Sequence, residues 1–236
     1  MKLVIFDLDQ TLVDFADLHN EVTHRLLKKH LGIDAWLTEI DYAGTSQRDG
    51  MWKLARMKGV SEAAFESKID LILEQFGPEF TARMPAGASG NLLPGAWQLL
   101  EDLSKTDNLL VLYTGDAPST VDAIFKATGL GRFFRFRFSG TDFPRREDMV
   151  ARAIQQAEAA AGRKFVGKDV VIIGDSLRDV ECGLKFNALI IGVTTGYHTE
   201  ADLKTAGADL VVGSLLEHDR ILEAIGRVET GKTPRR

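Results

Sequence analysis

Apolar positions recur along the chain with two periods, and the changes between them mark out its parts. The run Leu3-Val4-Ile5-Phe6 opens the sequence and reads as a buried strand running into Asp7, Leu8 and Asp9. Over residues 16–80 the spacing is helical, as in Leu18, Val22, Leu26, Leu27 and then Ile69, Ile72, Leu73, Phe76, with no strand-like run. MPAGASGNLLPG, residues 84–95, has the prolines, glycines and serine of a linker. Beyond it the two periods alternate: helix 96–104, strand 109–113, helix 118–128, strand 134–139, helix 146–161, strand 170–173, a helix from 177, strand 189–193, helix 201–206, strand 210–212 and a final helix. Strands alternating with helices imply right-handed βαβ units, so the expected fold is α/β, a Rossmann-like doubly wound parallel sheet. The helical block is then an insertion, giving a core of residues 1–15 and 87–236 and an all-helical unit of residues 16–86. Only the tail TGKTPRR, residues 230–236, reads as disordered.

An open parallel sheet binds ligands beyond the carboxyl ends of its strands. After the first strand stand Asp7, Asp9 and Thr11; after the second, Thr114, Gly115 and Asp116; after the fourth, Gly174, Asp175, Ser176 and Asp179. In extended chain residues i and i+2 face the same way, so Asp7 and Asp9 should converge on one point, a costly arrangement without a cation. Carboxylates and a hydroxyl, with no histidine or cysteine among them, suit a hard ion such as Mg²⁺. Simpler readings stand beside this one. Ser176-Leu177-Arg178-Asp179 matches a helix capping box, which taken alone makes Asp179 structural. Thr114 to Pro118 fits a turn opening a helix, although the amides of that turn also form an anion site.

Composition narrows the functional classes. With 236 residues, 44% of them hydrophobic, the chain has material for one large or two modest cores. A single cysteine, Cys182, rules out an internal disulfide and a thiolate zinc cage. The formal net charge of −5 argues against nucleic acid and anionic membrane as partners. No run reaches the ~20 apolar residues of a membrane span, and the opening residues lack signal-peptide architecture, so the expectation is a cytoplasmic protein. GRKFVGKD, residues 162–169, nearly matches a phosphate-binding P-loop, but it follows a helix and enters a strand, the reverse of the required context. The alternation of RFFRFRF is that of a strand with one buried face. The five histidines show no metal-ligand spacing, and no GxSxG elbow is present.

Taken in order, DLDQT, a threonine after the next long apolar strand, a basic residue before a helix, and GDSLRD resemble the four motifs of the haloacid dehalogenase (HAD) superfamily of phosphohydrolases. The resemblance runs from Val4 to about Val212, and AGTSQRDGM with IIGVTTGYHT is most similar to the phosphoglycolate-phosphatase-like branch. It implies that residues 16–86 form a helical cap. It implies further that Asp7 is the nucleophile that forms an aspartyl-phosphate, and that Asp9 is the acid and then the base. Asp7, the main-chain carbonyl of Asp9 and Asp175 would hold Mg²⁺, with Asp179 as an outer ligand or support. Thr114 and Gly115 would bind phosphoryl oxygens. The family's lysine is replaced by Arg145 or Arg146, and the helical spacing of Met149, Val150 and Ala153 favours Arg146. Gln10 stands where glycine is common, so a different backbone is expected there.

The function implied is a Mg²⁺-dependent phosphatase acting on a small phosphorylated metabolite, as a monomer or homodimer. The alternative is a sugar phosphomutase of the β-phosphoglucomutase kind. In the cap, Thr45, Gln47 and Arg48, together with His19, are the expected substrate contacts.

Overall fold

The opening apolar run becomes the middle of a parallel sheet. The structure is a computed structural model and describes residues 1–85, 87–143 and 145–227. Its strands are β1 (Leu3–Phe6), β2 (Leu109–Thr114), β3 (Phe136–Ser139), β4 (Val170–Gly174), β5 (Leu189–Val193) and β6 (Leu210–Val212), in the order β3-β2-β1-β4-β5-β6 with every neighbouring pair parallel. The tail read as disordered, residues 230–236, lies outside the described residues.

The insertion after β1 holds three of the described α-helices, α1 (Ala16–Leu31), α2 (Gln47–Met57) and α3 (Glu62–Arg83). The first two are joined by residues 32–46, a largely irregular segment with one 3₁₀ turn, Leu37–Glu39, that helical periodicity alone did not reveal. Serines cap two of them: Ser46 accepts from the Asp49 amide and Ser61 from the Ala64 amide. Then follow α4 (Ala96–Ser104), α5 (Pro118–Thr128), α6 (Arg146–Ala161), α7 (Leu177–Lys185), α8 (Glu200–Ala206) and α9 (His218–Arg227). Pro118 starts α5 and Gly129, left-handed at φ 75°, ends it. Strand β3 begins two residues later than its alternating pattern suggested. The Phe134 amide is taken by the carbonyl of Gly131, closing the preceding 3₁₀ turn.

Alternate residues of β1 serve opposite faces. Val4 and Phe6 pack with Leu99, Leu103, Ile124 and Ile221 of α4, α5 and α9, and Leu3 and Ile5 with Met149, Val150 and Cys182 of α6 and α7. Helices therefore cover both faces, which is why β1 is uniformly apolar. From β1 the chain builds outward through β2 to β3, then crosses back to β4 on the other side of β1 and builds outward through β5 to β6, so the order reverses beside β1 and the sheet's crevice opens there, at its carboxyl end. Two stretches link the helical insertion to the sheet, and they are bonded to each other. Asp14 N donates to Asn91 O at 2.8 Å, Leu93 N to Leu12 O at 2.9 Å, and Val13 pairs with Leu92. Farther out α3 rests on α5, where a Cβ on Gly77 would fall 2.6 Å from the Ser119 side chain. No helix among the described residues is long and apolar enough to cross a membrane.

Candidate active site

Strand β1 ends at Phe6, paired with Leu112 on one side and Ile173 on the other, so the next residue emerges between the ends of β2 and β4. That residue is Asp7, whose amide is still held by Ile173 O at 2.9 Å. Its carboxylate is 6% exposed and takes a hydrogen bond from Arg146, which also reaches Asp179 Oδ1 at 2.8 Å. Asp7, Asp175 and Asp179 offer oxygens that all lie within 4.8 Å of one another. Burial pushes the Asp7 carboxyl well above the usual range, against Arg146 and with the repulsion of Asp179 and Asp175. Asp175 is raised to about 7, first by burial and then by Asp179, although Thr11 Oγ1 donates to it at 3.1 Å. A Cβ on Gly196 would fall 1.8 Å from Asp175 Oδ2, so only glycine lets this loop lie against the acid.

Asp9 opens on the same cavity but not on the same neighbours. Because the chain leaves the strand at Asp7, the two-residue repeat no longer governs it, and the expected convergence of the two acids resolves into two groups. Asp9 Oδ1 lies 3.3 Å from His19 Nε2, which is 3.5 Å from Asp116 Oδ2. Burial alone would depress the His19 imidazolium, but Asp116 and Asp9 outweigh it and raise it to about 9. Burial would raise Asp9, yet His19 keeps it below the ordinary range, while burial and the charge of Asp9 push Asp116 well above it. At neutral pH His19 is therefore protonated, between an Asp9 that it biases towards the ionised form and an Asp116 that burial and Asp9 bias towards the neutral one. The His19 ring packs on Phe80 and Phe76, with centroids 4.8 and 5.8 Å away.

Gln10 has a φ of 60°, left-handed backbone that glycine enters freely and other side chains seldom adopt. The Gln10 amide donates to Val13 O at 2.7 Å, and its carbonyl accepts from Thr195 Oγ1.

Thr114 ends β2, 2% exposed, and its Oγ1 accepts from the Asp116 amide at 3.2 Å. The segment 40–46 is drawn across the cavity against this corner. Gln47 N donates to Gly115 O at 2.8 Å, and Gln47 Oε1 accepts from the Ala117 amide at 3.0 Å. A Cβ on Gly115 would lie 2.1 Å from Thr45 O, and one on Gly44 2.6 Å from Ser176 Oγ. Thr45 turns its hydroxyl to Tyr42 O and presents its backbone to the core. Arg146 Nη1 donates to Gly44 O at 3.0 Å, and Arg178 donates to Ala43 O.

Of the two arginines, Arg146 stands in the site, with its Cζ 4.3 Å from the centre of the Tyr113 ring. Arg145 is an exposed partner of Asp148 at 2.8 Å. Asp179 fulfils its capping reading and something more: Oδ2 accepts from Ser176 N and Oγ, while Oδ1 faces Tyr113 OH and Arg146. Arg48 is not brought to the cavity. It forks onto Glu66 at 2.5 and 2.6 Å and lies over Phe65.

Tyr113 and Arg178 were not among the candidates, and Asp116 was noted after the second strand without a role. Arg178 had left a signal, since a cation in the first turn of a helix opposes the helix dipole and implies a partner elsewhere. The cavity measures about 640 Å³ and is lined from below by Asp7, Asp9, Thr114 and Asp175 and from above by Tyr42, Thr45 and Gln47.

Residues 4–193 match the family model of haloacid dehalogenase-like hydrolases. The chain is 28% identical to a phosphoglycolate phosphatase of Agrobacterium fabrum, over 89% of this chain and 87% of that one. It is 30% identical to a phosphoglycolate phosphatase of Caulobacter vibrioides, over 91% and 87%. It is also 28% identical to the tyrosine-protein kinase PtkA of Mycobacterium tuberculosis, over 95% and 72%. Among solved structures, a predicted phosphatase from Clostridium acetobutylicum superposes with a TM-score of 0.70 at 25% identity, covering 94% of this chain and 98% of that one. A β-phosphoglucomutase from Clostridium difficile superposes with 0.73 at 19%, covering 97% and 99%, a likeness of fold.

Proposed function

The chain belongs to the haloacid dehalogenase-like hydrolases, in their phosphoglycolate-phosphatase-like branch, and from that premise we propose that it hydrolyses a small phosphate monoester through phosphorylated Asp7. The observation that carries this reading is Asp7 itself, a buried carboxylate at the end of the central strand, oriented by Arg146 and facing the cavity it shares with Asp9. Asp7 attacks phosphorus, forming a carboxyl–phosphate bond as the ester oxygen leaves. The leaving oxygen takes a proton from Asp9, supplied from the Asp116 and His19 pair beside it. In the second half Asp9 accepts a proton from water as that water attacks the phosphoryl group and frees Asp7. Thr114 accepts from an amide behind it, which leaves its hydroxyl proton for a phosphoryl oxygen, and Arg146 supplies positive charge to the same group.

The donor set fits Mg²⁺. Asp7, Asp175 and Asp179 present only oxygens, and burial with mutual repulsion raises Asp7 and Asp175, a penalty that a dication relieves. Asp7, Asp175 and the carbonyl of Asp9 would hold the ion. Asp179, both of its oxygens already engaged, would support them. Bound there, the ion offsets the charge of the acids and of the phosphoryl group. Residues 16–86 act in this reading as a cap, with segment 40–46 as its contact with the core.

The test is phosphate release from a panel of small esters, with Mg²⁺ and with chelator, for wild type and Asp7→Asn. The expected result is metal-dependent turnover that Asp7→Asn lowers by at least about a thousandfold. Turnover that survives in Asp7→Asn excludes the phospho-aspartate. A phosphomutase would instead release little phosphate and would require a sugar bisphosphate.

A further inference from the structure

Charge is unevenly shared around this site. Eight carboxylates line the main cavity, against one guanidinium and one imidazole, Arg146 and His19. Both of those are buried and already face carboxylates, Asp7 and Asp179 for the first, Asp9 and Asp116 for the second. The deeper acids are accounted for by the phosphoryl chemistry. Those on the leaving-group side are not: Asp14, Asp17, Glu39 and Asp41. Lys58 neutralises Glu39 at 2.7 Å, and Arg178 stands 3.9 Å from Asp41. Among the described residues Asp14 and Asp17 have no cationic partner; the Asp14 carboxylate accepts from Gln10 Nε2 and the Ala16 amide. Arg48, the cap arginine expected at the substrate, is committed to Glu66.

A second observation points the same way. Asp116, more than nine-tenths buried, lines the cavity with an Oδ2 that makes no hydrogen bond and has only the His19 ring at 3.5 Å, and Asp9 Oδ1, also without a hydrogen bond, faces the same ring at 3.3 Å. Tyr42 and Tyr197 add aromatic surface beside these acids. After burial, the charges of Asp9, Asp14 and Asp17 are what hold the Tyr42 phenol above its ordinary range, a local sign of negative potential. The cations of this face are elsewhere. Lys53, Arg56, Arg145, Arg178 and Lys185 line a separate cavity of about 460 Å³ on the far side of residues 44–46.

We propose that the leaving group of the substrate carries a positive charge, making the substrate the phosphate monoester of an amino or quaternary-ammonium alcohol, received by Asp14, Asp17 and the two tyrosines. The proposal rests on the phosphatase reading above. A carboxylate or second phosphate in this position would face acids with no free cation, whereas an ammonium group gains both charge attraction and aromatic contact.

Four esters test it with the Mg²⁺-loaded protein: phosphocholine, its uncharged isostere 3,3-dimethylbutyl phosphate, 2-phosphoglycolate and p-nitrophenyl phosphate. Phosphocholine is expected to exceed the isostere in kcat/KM by about tenfold or more, and 2-phosphoglycolate is expected to rank last. Asp17→Asn and Asp14→Asn should shrink the ratio of phosphocholine to isostere, chiefly through KM, and added salt should do the same. An isostere that matches phosphocholine, or 2-phosphoglycolate as the best ester, overturns the proposal while p-nitrophenyl phosphate turnover leaves the phosphatase reading standing. Absence of turnover on all four overturns both.

Discussion

His19 shows how one side chain is set by its neighbours rather than by its own chemistry. Nothing in the sequence around it indicates charge, yet two buried carboxylates 3.3 and 3.5 Å away hold its proton to about pH 9. A folded-state value above the unfolded one of about 6.5 means that the folded protein binds this proton more tightly. The resulting stabilisation is complete below about pH 6.5 and is lost as pH rises through about 9. His19→Gln should therefore lower the unfolding free energy by an amount on the order of a few kcal/mol at pH 6. The gap between variant and wild type should narrow steadily towards pH 10. Denaturant titrations at four or five pH values measure it, and a gap independent of pH would mean that His19 is neutral. Asp116 was legible as a residue at a strand end, but its pairing with His19 was not, because that pairing requires α1 to fold back over the end of β2. The motif acids were legible because strand ends are fixed by apolar runs, whatever the rest of the chain does.

At the scale of elements, the informative piece is the segment 40–46 with the first turn of α2. Charge drew attention to Arg48, but successive helical residues point about 100° apart. Gln47 therefore faces the core while Arg48 faces Glu66. Sequence gives the type of a side chain in such a turn, and its direction comes from where the helix starts, here the Ser46 cap. The close approach of Thr45 O to Gly115 leads to a second prediction. Gly115→Ala has no room for its methyl unless segment 40–46 lifts away, so kcat/KM should fall by about 10- to 100-fold. The sheet, which this contact does not support, should keep its thermal midpoint within a few degrees. Steady-state kinetics and a melting curve on the same sample decide it, and unchanged kinetics would show that the segment does not need to sit so close. The late start of β3 has a similar origin: an alternating pattern fixes which face a strand buries, but the 3₁₀ turn before it claimed Phe134.

For the whole molecule, the α/β class, strand succession and doubly wound sheet followed from the alternation of periods alone, because each βαβ unit must return right-handed to the same sheet. The carboxylates at its crevice are the counterpart of that order: two of the three, Asp7 and Asp175, are raised by burial in spite of the Arg146 charge. A ligand bound only by the folded state stabilises it by about 2.7 kcal/mol at a hundred times its dissociation constant. For a chain of this size each kcal/mol moves the midpoint by roughly 2–4 °C. Saturating Mg²⁺ should thus raise the melting temperature by about 5–10 °C, and Asp175→Asn should abolish most of that rise. A calorimetric scan with and without the ion gives the answer, and an equal rise in Asp175→Asn would move the ion elsewhere.

The paired crossings at Leu12–Asp14 and Asn91–Leu93 carry one more consequence. Because the helical insertion leaves and re-enters the sheet through neighbouring, mutually bonded strands of chain, its two ends are already closed on each other. To the sheet it is a graft on a single stem. A different helical unit, spliced at the same two stretches, would leave every strand register as it is, but it would also take His19 from beside Asp9 and Asp116, so only a unit that restores this contact leaves the acids at the strand ends in their present setting.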